Sequence, residues 1–85
     1  MTGEGVRGEV RALVRGLLRR HGVVEDVGDA DPLLTSGLLE SVDVLEVVTL
    51  LESRFGVDFA IRAFDPGDFD TVDGIVAVVE ESGSP

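Results

Sequence analysis

The chain has 85 residues, enough for one small domain on a single core, and a net charge of −10. It has no cysteine, which excludes disulfides, thiolate metal sites and a thiol nucleophile of its own. Five of its seven basic residues (Arg7, Arg11, Arg15, Arg19, Arg20) lie in the first twenty positions, so the remainder is strongly acidic; such a surface repels nucleic acid and anionic lipid and steers cationic partners inward. The opening "MTGEGVRGEV" holds no apolar signal run, and no segment is long enough to span a bilayer. The chain is therefore expected to be a cytoplasmic monomer without membrane insertion or nucleic-acid binding. It reads as a single domain over 1–85 with an ordered core at about 5–82, its ends "MTGEG" and "SGSP" being frayed tails.

Val6, Val10, Leu13, Val14, Leu17 and Leu18 follow amphipathic-helix spacing, which predicts a first helix over about 5–20. Arg19 and Arg20 complement its C-terminal dipole, Gly22 ends it, and His21 is a helix-terminal residue. Residues 21–40 form a connection longer than compact domains usually carry. In "DADPLLTSGLL", Asp31-Pro32 makes a turn and four leucines can tether the loop to the core.

A second helix is predicted over Ser41–Phe55, closed by Gly56. At about 100° per residue, Val44, Val47, Val48, Leu51 and Phe55 share a buried face. Val42, Leu45 and Thr49 fall on nearly the opposite side, flanked by Glu46 and Glu52. An apolar patch with an acidic rim is the anatomy of a helix that docks onto a partner. "GVDFAIRAF" alternates briefly, yet no second strand exists to pair with it, so an extended connector is expected with Val57, Phe59 and Ile61 pointing inward. "DPGDFD" gives a one-turn helix starting at Pro66. Thr71 caps a last helix whose core stripe is Val72, Ile75, Val76 and Val79. The fold class is all-α: a four-helix bundle of three main helices and a short one, with a long first loop.

Ser41 is the residue with a question attached. A serine at a helix start suits an N-cap, and catalysis suits it poorly, because His21 is the only histidine and no triad or nucleophile elbow surrounds it. The acidic clusters Asp26, Asp29, Asp31 and Asp65, Asp68, Asp70, Asp73 lack the central glycine and final glutamate of a calcium loop. They are expected to form turns and caps, with no metal site. The missing bases, nucleophiles and metal ligands also argue against an enzyme.

"DPLLTSGLLESVDVLEVVTLLESRFGVDF", followed by "FDPGDFDTVDGIVAVV", resembles the acyl carrier protein family over nearly the whole chain. The family's modification motif is Asp-Ser-Leu; here it stands as Glu40-Ser41-Val42, an acid before the serine and an aliphatic residue after it. The longer acid and the smaller apolar contact keep the chemistry and bear on which transferase would accept the protein. The resemblance implies 4′-phosphopantetheine on Ser41, taken from coenzyme A by a separate magnesium-dependent phosphopantetheinyl transferase. It implies a carrier that holds a small acyl or aminoacyl group as a thioester. The partners would be an acyl- or aminoacyl-loading enzyme and a downstream acyltransferase or synthase. Glu40, Asp43, Glu46 and Glu52 would then meet basic partner surfaces, with Val42, Leu45 and Thr49 as the apolar contact. "SGLLES", "RFGVDF" and "FDPGDFDTVDGI" look more like stand-alone carriers of D-alanine, other amino acids or short polyketide-type units than like housekeeping fatty-acid carriers. A valine-, glycine-, arginine- and aspartate-rich composition without lysine favours a specialised natural-product pathway. The alternative from another class is an unmodified acidic helical module that binds a basic partner through the second helix.

Overall fold

A computed structural model describes residues 3–61 and 65–82. Helix α1 spans Gly3–Arg20, α2 spans Ser41–Phe55, a short 3₁₀ helix spans Pro66–Phe69, and α3 spans Val72–Ser82. The described residues contain helices and no strand, which gives the all-α bundle that the apolar spacing predicts. Helix α1 starts two residues before its expected boundary, and α2 starts and stops where the pattern places it.

One apolar cluster joins every element. Val10, Val14 and Leu17 of α1 pack with Val47 and Leu51 of α2, Phe69 of the 3₁₀ helix, and Ile75 and Val79 of α3. Valine dominates this core, and its stiff, β-branched side chains suit close packing between short helices. Glycines in the left-handed region close the two longer helices: Gly22 at φ 79° and Gly56 at φ 69°. At the first, Val23 N–H donates to Leu18 C=O and Gly22 N–H to Arg19 C=O, which fixes His21 at the helix end.

The long first loop is part of this core rather than a strap over it. Leu33 and Leu39 are buried, and Leu34 and Leu38 pack against the cluster. Polar bonds hold the same segment: Leu33 N–H donates to Asp70 C=O, while Leu34 N–H and Thr35 N–H donate to Asp70 Oδ1. Farther back, Asp29 accepts from Arg7 and from both ends of the Arg11 guanidinium, and its carbonyl accepts from Asp73 N–H. Asp29 and Asp70 therefore serve as clasps. Asp31 accepts from Gly28 N–H, and Asp65 caps the 3₁₀ helix through Gly67 N–H. Asp70, expected to help cap the last helix, reaches back to the first loop instead, and Thr71 alone caps α3 through Gly74 N–H.

One expectation fails at Ile61, which is 86 % exposed although Val57 is buried and Phe59 packs on Phe69. The cause is local. Asp58 Oδ1 accepts from Ala60 N–H and Asp58 C=O from Ile61 N–H, so 58–61 is a turn and the two-residue alternation stops at Phe59.

Candidate functional site

Ser41 is the first helical residue of α2, and the cap before it is Glu40, whose backbone is extended at φ −111° and ψ 169°. The serine is exposed. No hydrogen bond engages its hydroxyl among the described residues. Its expected alternative role as the N-cap is thereby filled by its neighbour. The first N–H groups of a helix have no intrahelical partners and lie at the positive end of the dipole, so the position of Ser41 suits an anionic substituent.

Beside Ser41 runs an open cleft of about 670 Å³ lined by Leu34, Leu39, Val42, Val44, Leu45 and Pro66, with Glu40 as its one charged residue. The first loop, the first turns of α2 and the 3₁₀ helix all contribute walls. An apolar trough next to an exposed hydroxyl gives a flexible covalent substituent somewhere to lie.

The outer face of α2 places Val42 (59 % exposed) and Leu45 (63 % exposed) beside exposed Thr49, with Glu46 and Glu52 also at the surface. Glu46 is tied by Arg20 at 2.5 Å, which offsets part of its charge, whereas Glu52 has no ion pair among the described residues. Thr49 returns its hydroxyl to Leu45 C=O.

Asp43 departs from the expected acidic rim. It is only 2 % exposed and turns away from the face that carries Val42 and Leu45. Its Oδ2 accepts from Glu40 N–H at 2.8 Å and from His21 Nε2 at 2.7 Å. The reason is positional: the third residue of a helix can reach back to the cap's N–H, and a buried carboxylate requires such donors. Sequence periodicity missed the histidine at the end of α1, because a contact across 22 residues leaves no local signature. It also missed the loop leucines and Pro66 as walls of the cleft.

His21, Glu40 and Asp43 bring possible ligand atoms within 4.8 Å of one another. They fit a hydrogen-bonded cap better than a cation site: Asp43 Oδ2 already takes two N–H donors, and the helix terminus they surround carries positive partial charge.

Residues 8–79 match the family described as "Phosphopantetheine attachment site". Among curated proteins, the D-alanyl carrier protein of Lacticaseibacillus rhamnosus is 38 % identical over 50 residues, covering 59 % of this chain and 62 % of its own length. That of Streptococcus pyogenes serotype M5 is 37 % identical over 60 residues, covering 68 % of this chain and 76 % of its own. That of Leuconostoc citreum is 33 % identical over 58 residues, covering 66 % and 74 %. The matched stretch thus spans less than two thirds of the Lacticaseibacillus relatives. No solved structure matches the chain. None of the described helices is long and apolar enough to cross a membrane. With an exposed serine at a helix start, an apolar trough beside it and a family match over most of its length, the chain belongs to the acyl carrier protein family, whose cofactor is covalently attached 4′-phosphopantetheine.

Proposed function

We propose that Ser41 is the attachment point of 4′-phosphopantetheine and that the protein works in the cytoplasm as a non-catalytic carrier of a small acyl or aminoacyl group. The observation that carries this reading is the state of Ser41: exposed, with no hydrogen bond at its hydroxyl among the described residues, and at the first position of a helix whose positive dipole end favours a phosphodiester. The new bond joins Ser41 Oγ to phosphorus as the pyrophosphate link of coenzyme A breaks and adenosine 3′,5′-bisphosphate leaves. The transferase must take the hydroxyl proton, because no side-chain base is hydrogen-bonded to Ser41 among the described residues. Once bound, the arm supplies a terminal thiol for thioester chemistry, the one thiol in a chain without cysteine.

Similarity to D-alanyl carrier proteins supports an aminoacyl or comparably small cargo. We assign such units to discrete partner enzymes: a loading enzyme and a downstream acyltransferase or synthase in a D-alanyl, polyketide-type or other specialised pathway. Val42, Leu45 and Thr49 supply a small apolar contact, with Glu40, Glu46 and Glu52 as the acidic surround. Contacts of this kind raise association rate and specificity more than affinity, which suits a shuttle that must release each partner.

Intact mass after incubation with coenzyme A and a broad-specificity phosphopantetheinyl transferase tests the assignment. One added phosphopantetheinyl group is expected on the wild-type chain and none on Ser41→Ala, with helical circular dichroism unchanged. A wild-type chain that gains no mass, or a Ser41→Ala chain that does, overturns it.

A further inference from the structure

We propose that His21 is a positioning residue for Ser41, acting through Asp43 and resting on the reading of Ser41 as the attachment point. Asp43 is a carboxylate at 2 % exposure, and a buried carboxylate holds its place only while donors satisfy it. Two donors converge on the same oxygen: His21 Nε2–H from the end of α1 at 2.7 Å, and Glu40 N–H from the cap of α2 at 2.8 Å. Glu40 is the residue before Ser41. The imidazole therefore controls a two-bond relay that ends one peptide unit from the reacting hydroxyl.

The histidine is itself held. The Gly22 and Val23 hydrogen bonds that close α1 fix its backbone, and Arg20, one residue earlier, pairs with Glu46 one turn along α2. Glu9 and Arg54 pair at the other end of the same antiparallel seam. Of these links, the one at His21 engages the cap that precedes Ser41. Loss of the imidazole leaves Asp43 with one donor for a buried charge, and the carboxylate gains by turning to water and releasing Glu40 N–H. The cost falls on the geometry of the first turn, where a displacement of about 1 Å suffices to slow a positioned reaction by orders of magnitude.

Phosphopantetheinylation rates of wild type, His21→Ala, His21→Gln and Glu9→Gln test the proposal, together with amide exchange at Glu40 in the unmodified chain. His21→Ala is expected to lower kcat for modification about tenfold, with KM within about twofold. His21→Gln, whose amide N–H can reach the same carboxylate, restores most of the rate. Glu9→Gln removes the charge from the distant seam link and leaves the rate unchanged. Exchange at Glu40 N–H rises about tenfold in His21→Ala alone, while amides in the middle of α2 keep their protection. Wild-type kcat in His21→Ala, an equal loss in Glu9→Gln, or unchanged exchange at Glu40 overturns the proposal. A wild-type chain that takes no arm overturns the attachment reading itself, and the Glu40 amide separates the two failures because its exchange does not depend on modification.

Discussion

At the scale of single residues, the four carboxylates assigned to the outer rim of the second helix are not equivalent. Asp43 is buried on the side facing α1, and Glu46 is paired with Arg20. Glu52 is exposed and has no ion-pair partner among the described residues. A Glu46→Lys substitution, attractive from the sequence as a clean test of docking, would also set two cations against each other across the α1–α2 seam. Glu52→Lys avoids this. It is expected to lower kcat/KM of the cognate loading enzyme by about tenfold at low salt, with the loss shrinking as ionic strength rises, because steering by exposed charges is screened. Its Tm should stay within about 2 °C of wild type, since an exposed unpaired charge contributes little to stability. Equal loading rates for the two proteins across salt would remove Glu52 from the docking surface. The start of α2 at Ser41 was legible from the apolar-periodic run that follows it, whereas the role proposed for its hydroxyl came from the family resemblance. The inward turn of Asp43 was not legible, because its deciding partner lies in another helix.

At the scale of elements, legibility followed periodicity. The α2 limits and the α3 core stripe were readable because a 3.6-residue repeat persists over at least three turns. "GVDFAI" was readable only to Phe59, since two alternations are too few to reveal that Asp58 bends the chain and turns Ile61 out. The long loop lies between these cases. Its leucines announced a tether, but the hydrogen bonds from 33–35 to Asp70 join segments 35 or more residues apart and carry no local signal. If the loop is core rather than cover, truncating one of its leucines must cost as much as truncating a helical one. Leu33→Ala is expected to destabilise the protein by about 2–5 kcal/mol, the range for a fully buried leucine. Denaturant unfolding checks this against Leu51→Ala, a fully buried position in α2. A cost below about 1 kcal/mol would mean that the loop relaxes around the gap and is only loosely joined to the bundle.

At the scale of the whole molecule, a chain of net charge −10 offsets part of its self-repulsion where Arg7, Arg11, Arg20 and Arg54 meet carboxylates. Asp29 is the hub: Arg7 and Arg11 of α1 both bond its carboxylate, while Arg7 and the Asp29 carbonyl reach Asp73 of α3, so Asp29 and Arg7 together tie the first loop to two helices. Arg11 foremost, with Arg7, lowers the Asp29 pKa from the usual 3.8 to about 2. Backbone N–H donation from Thr35 and Leu34 lowers that of Asp70 as well. A depressed carboxylate favours the folded state above its unfolded pKa, and that contribution disappears as pH falls through the folded value. Stability should therefore lose the Asp29 contribution between about pH 4 and pH 2. Asp29→Asn isolates it: the variant is expected to be less stable than wild type near pH 6, with the gap closing as pH descends through that window. The comparison belongs at about 0.15 M salt, where the screening length of about 8 Å is shorter than the 12.0 Å radius of gyration and repulsion among distant carboxylates is damped. A gap that stays constant from pH 6 to pH 2 would show that the Asp29→Asn variant loses shape or packing rather than charge, and the hub would then be a steric joint instead of an electrostatic one.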